Sequence, residues 1–454
     1  MTSILLFTQM ATNMPFLSPV FGSHMVLQRD KDNSIWGWTK PGETVTVQIL
    51  KTKETATTDA TGKWMVKIRP PRTGGPYKMT VSGSQTVELE DILVGDVWVC
   101  SGQSNMEMGI AMAKDSQQEI RSANFPKIRL FSVPKVPSIS PLPFVNGEWA
   151  PCSPESIAKG GWGGFSAVGY YFGREMHREL NVPVGLVHTS WGGTPAEAWT
   201  SEKGLDPFRE FRKQTEVVKE DPNWPTSLYN GMINPLLPMT IRGAIWYQGE
   251  SNVGRAEQYE RLLPAMINDW RKGFAQGNFP FFVVQLANYG KQNGDPVNSG
   301  WAELREAQET GVERARNAGM AVTIDIGDGN DIHPTNKQEV GRRLALSALK
   351  MVFNKRIESS GPTVKKVTKG GAVIQVEFDH AEGLGIRNAK HSGFAIAGRN
   401  GKFEWADAKI IGKTVVLSAP GVKEPTQVRY GWDDDPVVTL FNKAGLPAAP
   451  FRTK

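Results

Sequence analysis

Ser104 is the residue around which chemistry can be organised. It stands in Trp98-Val99-Cys100-Ser101-Gly102-Gln103-Ser104-Asn105-Met106-Glu107, where a short apolar run gives way to small and polar residues. A hydroxyl nucleophile needs a sharp turn that exposes it, a base within reach, and N–H groups that hold an oxyanion. Gly102 permits the turn. Of the six histidines, His333 is the one placed to be that base. It lies in Asp325-Ile-Gly-Asp328-Gly-Asn-Asp331-Ile-His333-Pro334, with Pro334 restricting the backbone after it and two aspartates, Asp331 and Asp328, within five residues to orient it. Ser, His and Asp in these roles are what acyl transfer through a covalent intermediate requires. Two further polar loops carry glycines: Ser190-Trp191-Gly192-Gly193-Thr194-Pro195, and Trp246-Tyr247-Gln248-Gly249-Glu250-Ser251-Asn252. Paired glycines bring backbone N–H groups close to a ligand, and the second loop adds amide and carboxyl side chains. The other histidines suit other roles. His24, His380 and His391 fall in β-rich flanks, His177 sits inside a helical pattern, and His188 ends a strand and reads as a core or supporting residue.

The elements that must position these residues follow from the pattern. Residues 15–92 contain short alternating runs (Ser34–Trp38, Thr44–Ile49, Lys63–Ile68, Lys78–Ser82) separated by Pro-Gly, Thr-Gly and Gly-Gly-Pro turns, which predicts a small β-sandwich. From Asp91 the rhythm is strand, helix, strand. Strands are expected at Val97–Cys100, Val184–Thr189, Gly243–Tyr247, Phe281–Leu286 and Ala321–Ile326, with helices at Ser166–Leu180, Ala256–Phe274, Ala302–Ala318 and Lys337–Val352. Thr335 and Gln338 are spaced as a capping box for the last helix. The strands are apolar without alternation, as strands covered on both faces are. The expected class is therefore α/β, a doubly wound parallel sheet with ligands at the carboxyl ends of its strands. β patterns return beyond Lys355, at Gly371–Phe378, Phe394–Ile396, Lys413–Leu417 and Gln427–Tyr430. Three segments are expected: 1–90 and 356–454 as flanking β domains, and 91–355 as the catalytic domain.

Composition narrows the function classes. The chain of 454 residues has 39% hydrophobic and 22% charged residues and a net charge of +6, spread without a Lys/Arg run interleaved with aromatics. No nucleic-acid partner is expected. No apolar run is long enough to span a membrane, and no His/Cys/carboxylate cluster has metal-ligand spacing, so neither metal nor cofactor is expected. Cys100 and Cys152 cannot build a disulfide framework. The first fourteen residues are apolar around Ile4-Leu5-Leu6-Phe7, but no Lys or Arg precedes Arg29. A trimmed export signal and an extracytoplasmic location are the expectation there. The 14 tryptophans suit carbohydrate contact as well as β cores.

The turn at Ser104 is similar to the lipase-type nucleophile elbow, with Met106 in place of its second glycine. Together, Met25–Arg29, Gly95–Met106, Phe165–Gly169, Gly192–Trp199, Trp246–Asn252, Asp331–Pro334 and Gly445–Phe451 resemble the sialate O-acetylesterase-like carbohydrate esterases of the SGNH (GDSL-type) hydrolase superfamily. The resemblance implies an SGNH-type sheet, Ser104 as nucleophile and His333 as general base. It also implies an oxyanion hole of the Ser104 amide, the Gly192 or Gly193 amide, and a side chain from the third loop. Gln103 would stand beside these groups, and Gln248, Glu250 and Asn252 compete for the third-loop position. The superfamily usually places Asp three residues before the histidine; here that residue is Asn330, which leaves Asp331 or Asp328 as the triad acid. The implied substrate is an O-acetylated sugar or glycan, a sialate 9-O-acetyl ester or acetylated xylan. A carbohydrate-binding protein with a decayed esterase core is the alternative from another class.

Overall fold

The computed structural model describes residues 14–213 and 220–453; the apolar stretch Ile4–Phe7 lies outside them. In chain order the first strands are β1 (Val26–Gln28), β2 (Asn33–Trp38), β3 (Thr44–Ile49), β4 (Thr52–Thr57), β5 (Lys63–Ile68), β6 (Gly74–Ser82) and β7 (Thr86–Gly102). Short helices α1 (Ser104–Glu107) and α2 (Ser116–Ser122) follow, then β8 (Phe125–Ser132), β9 (Trp149–Cys152), α3 (Pro154–Ala158) and α4 (Ala167–Leu180). The remainder of this half is β10 (Val184–Ser190), β11 (Gly243–Tyr247), α5 (Ala256–Phe274), β12 (Phe281–Val284), α6 (Gly300–Ala315), β13 (Ala318–Ala321) and α7 (Lys337–Phe353).

The central sheet runs β13-β12-β11-β7-β10-β8-β9, parallel throughout except for the antiparallel edge strand β9. Its middle strand, β7, alternates between two cores. Val97 and Val99 face one that includes α5 and α6, while Trp98 and Cys100 face another that includes α4 and α7. Both faces are covered, as the unbroken apolar strands require. Burial drives the Cys152 thiol up to about 12, so it is held as a neutral packing group.

The central sheet and the start of α7 differ from the sequence expectation. β8 is absent from the five strands expected, because Phe125-Pro-Lys-Ile-Arg-Leu-Phe-Ser mixes charge with apolar residues. Arg129 is 4% exposed there and is neutralised by Asp91 at 2.7 Å, so the structure buries a charge that reads as surface. The strand expected at Ala321–Ile326 ends at Ala321, and the residues beyond it turn into the histidine loop. At the start of α7 the cap is Asn336, whose Oδ1 accepts the Glu339 N–H at 3.2 Å; Thr335 and Gln338 instead tie the segment to Lys114 through Lys114 N to Thr335 O (2.8 Å) and Gln338 Nε2 to Lys114 O (2.5 Å).

The N-terminal strands are joined to this sheet through one element. β7 is 17 residues long; its first half pairs with β6 and β1, and its second half with β10 and β11. Asp96 marks the joint. Its buried carboxylate pairs with Arg29 and Arg242, each at 2.8 Å. A single apolar core continues from Ile35, Trp36 and Val47 to Trp246 and Trp270.

After α7 come β14 (Thr363–Gly370), β15 (Val373–Asp379), β16 (Gly385–Ile386), β17 (Phe394–Ala397), β18 (Phe403–Trp405), β19 (Asp407–Ile411), β20 (Thr414–Ser418), β21 (Gln427–Tyr430), β22 (Leu440–Phe441) and β23 (Phe451–Arg452). They form antiparallel sheets β14-β15-β20-β19 and β18-β17-β21-β23 around a core of their own. Arg305 of α6, fully buried, donates to the carbonyls of Asp433 (2.8 Å) and Asp434 (3.0 Å) and so docks this region on the central sheet. Among the described residues no helix is long and apolar enough to cross a membrane.

Candidate active site

Gly102 ends β7 with φ +143°, and a Cβ there would stand 2.0 Å from the Tyr247 carbonyl oxygen. Only glycine fits, so the chain turns sharply where the neighbouring strand comes closest. Gln103 follows as the residue before α1, and Ser104 opens that helix half-buried at the carboxyl edge of the sheet. Trp191 N donates to Gly102 O (3.1 Å) and Gln103 N to Tyr247 O (2.9 Å), which brings the loops after β10 and β11 against the turn.

The glycine loop lies directly beside Ser104. A Cβ on Gly192 would be 3.2 Å from Ser104 Cβ. The Gly192 N–H donates to Glu107 Oε2 at 2.6 Å, and the other oxygen of that carboxylate is paired with Lys135. Gly193 has φ +76° and open space where a side chain would be. Lys135 also lies 5.4 Å from the Trp191 ring centre, which places one cation and one aromatic face at the mouth of the site.

In the third loop Gln248 and Asn252 are buried and hydrogen-bonded. Asn252 Oδ1 accepts from Ala196 N (3.0 Å) and Gln248 Nε2 (2.6 Å), while its Nδ2 donates to Glu197 Oε2 (3.0 Å). Gln248 Oε1 accepts from the Tyr259 hydroxyl at 2.9 Å. Gln103 Oε1 accepts from Ser251 N at 3.2 Å and, more weakly, from Gly249 N at 3.4 Å. These residues bind the loops to one another; their polar atoms point into the protein rather than at Ser104. Glu250 differs. One oxygen accepts from Asn105 Nδ2 at 2.6 Å, and the other is buried without a hydrogen-bond partner among the described residues. Burial pushes its carboxyl above the usual range.

His333 stands across from this loop, about a quarter exposed, with its ring edge-on to Trp162 at 4.8 Å between centres. Asn105 joins the two segments: its Nδ2 also donates to Ile332 O at 2.9 Å, linking the residue after Ser104 to the residue before His333. Asp331 Oδ1 lies 3.7 Å from His333 Nδ1 and accepts the backbone N–H of His333 at 2.8 Å. Asp328 turns its carboxylate to Asn330 N at 2.9 Å instead. The imidazole is held below the ordinary histidine pKa, first by partial burial and then by the Lys337 ammonium, with Asp331 opposing. His188, by contrast, bonds Ser190 Oγ at 2.5 Å and is pushed down to about 4 by burial, so it stays neutral and structural.

Sequence reasoning brought Ser104, His333, Asp331, Gly192 and Gly193 to one edge, but it missed Asn105, Glu107, Lys135, Trp162 and Lys337. Lys337 had a readable signal: a cation in the first turn of a helix, where the dipole disfavours it. The others carry none, because their partners lie 28 to 232 residues away in sequence.

Residues 94–350 match the family described as carbohydrate esterase, sialic acid-specific acetylesterase. The sialate O-acetylesterase of Homo sapiens is 34% identical over 383 residues, covering 76% of this chain and 72% of its own. That of Mus musculus is 30% identical over 501 residues, covering 94% and 92%. Among solved structures, a carbohydrate acetylesterase from Xanthomonas citri is similar with a TM-score of 0.88 at 38% identity, covering 97% of this chain and 99% of that one.

Proposed function

The chain belongs to the carbohydrate esterase, sialic acid-specific acetylesterase family, and from that premise we propose that it removes O-acetyl groups from sialate-type sugars by an SGNH-type serine mechanism. Ser104 Oγ attacks the acetyl carbonyl carbon while His333 takes the hydroxyl proton. The tetrahedral oxyanion is held by the amides of Ser104 and Gly193, because the Gly192 amide is occupied by Glu107. Collapse breaks the bond to the sugar oxygen, which leaves with the proton from His333. Water then attacks the acetyl-enzyme while His333 accepts its proton; the Oγ–acetyl bond breaks, His333 returns the proton to Ser104 Oγ, and acetic acid departs and ionises to acetate. Asp331, with its carboxylate 3.7 Å from Nδ1, orients the imidazole.

The observation that carries this reading is the double hydrogen bond of Asn105 to Glu250 and Ile332, which assembles nucleophile turn, third loop and base loop into one unit. For the substrate, Lys135 is a cation at the mouth suited to a sugar carboxylate. The test is turnover of 9-O-acetylated sialate and acetylated xylan side by side, with Ser104→Ala as control. Preference for xylan would move the substrate to neutral plant glycans, and loss of neither activity in Ser104→Ala would end the serine mechanism.

A further inference from the structure

Lys337 is 0% exposed, yet it occupies the first turn of α7. A cation there meets two penalties, desolvation and the positive end of the helix dipole. Burial is strong enough to push its ammonium down to about 7. A methionine or leucine of similar volume would pack at this position without either cost. The compensation lies in what the amine holds. Nζ donates to Asn105 Oδ1 at 2.5 Å. An amide whose oxygen is engaged in this way must aim its Nδ2 outward, and that Nδ2 makes both bonds that tie Glu250 and Ile332 together. Without the lysine the amide is free to flip, and a flipped amide presents oxygen to two acceptors.

We propose that Lys337 is a positioning residue for the catalytic base: it fixes the Asn105 amide that clamps the histidine loop to the nucleophile turn, and it sets a positive charge against His333. The inference rests on the reading of Ser104 and His333 as nucleophile and base. The charged and titratable groups around the pair are few. Asp331 faces His333 from its own loop, Lys337 faces it from α7, and the Trp162 ring covers one edge. Glu250 and Asp331 in turn face Lys337, whose amine also lies 5.3 Å from the Tyr247 ring centre. The charge matters at the acid end of the working range. Below about pH 7 the amine is protonated, and there it keeps the imidazole neutral and basic to lower pH than a histidine beside Asp331 alone.

The test compares wild type, Lys337→Met and Lys337→Gln with p-nitrophenyl acetate from pH 5 to 8, alongside thermal melting. Lys337→Met is expected to lower kcat about tenfold with KM within about twofold, and to move the acid limb up by about one pH unit, the scale for removing one partly buried charge nearby. Lys337→Gln keeps a donor without the charge, so it should recover part of kcat and retain the shifted limb. A folded Lys337→Met protein whose acid limb stays in place or moves down overturns the proposal, even if its melting temperature falls, because loss of packing alone does not move a titration. Should neither variant fold, Asn105→Ser removes the clamp and leaves the cation. It should cut kcat with the limb unmoved, and unchanged kcat there overturns the proposal as well. Full turnover by Ser104→Ala is a separate outcome that removes the nucleophile reading and leaves these profiles interpretable on their own.

Discussion

Beside Ser104, the loop after β11 and the loop before α7 are built on opposite terms. In the first, Gln248 and Asn252 are 0% exposed and their amides are bonded to Thr194, Ala196, Glu197 and Tyr259. In the second, Asp331 is 57% exposed and its carboxylate lies 3.7 Å from His333 Nδ1, with the segment anchored by Asn105 and Lys114. Gln248 and Asn252 serve as scaffold: their amides are satisfied within the fold by neighbouring loops and α5. The second loop keeps its imidazole available to exchange protons. The two loops therefore differ in kind: one fixes the turn that carries Ser104, and the other leaves the His333 ring partly open to solvent.

Substitutions can break that division. The largest effect is expected from His333→Ala and Ser104→Ala, each lowering kcat for p-nitrophenyl acetate by at least about three orders of magnitude with an unchanged melting temperature; a residual rate within tenfold of wild type would remove the residue from the mechanism. Asn252→Ala should act oppositely. It strips partners from Glu197, Gln248 and the Ala196 amide, so stability should fall by about 2–4 kcal/mol in urea unfolding, and any loss of kcat should follow the unfolded fraction. Asp331→Asn is intermediate. Because its carboxylate is exposed and not yet in contact with Nδ1, the loss should be about ten- to a hundredfold, short of the roughly four orders seen where a buried triad aspartate is neutralised. The same substitution removes the one group that raises the His333 pKa, so the acid limb should move to lower pH. Asp328→Asn should be nearly silent, within about threefold, since its oxygen caps the Asn330 N–H and an amide oxygen can do the same. A crippled Asp328→Asn enzyme with a normal Asp331→Asn one would exchange their roles.

The wild-type profile sharpens the contrast further. With His333 held below the usual value near 6.5, the active neutral form persists to lower pH, and the acid limb should lie below 6.5. His188→Ala should leave that limb in place, because its own neutral state is set by burial and its ring bonds Ser190.

Much of this was readable in the chain. Strands Val184–Ser190 and Gly243–Tyr247 and helices Ala167–Leu180 and Ala256–Phe274 lie where apolar period and β-branching put them, since both signals are local. β8 was not readable, because its Arg129 becomes compatible with a central strand only after Asp91 arrives from 38 residues away. The same limit applies at the site. Gly102, Ser104 and His333-Pro334 announce a turn, a nucleophile and a base by residue type. The amides of Gln248 and Asn252 look equally fit for an oxyanion by type, and only their partners show that they are spent on the scaffold.

By itself the sequence determined the order of β, α/β and β segments, the turn at Gly102 and the candidates for nucleophile and base, because periodicity, backbone freedom and hydroxyl or imidazole chemistry belong to residues and their near neighbours. The tertiary structure alone decided that β7 runs unbroken from the N-terminal strands into the central sheet, that Glu107 takes the Gly192 amide, and that Lys337 is buried against Asn105. Each of these depends on desolvation and on hydrogen-bond geometry between groups far apart in the chain, and neither quantity exists until the chain has folded.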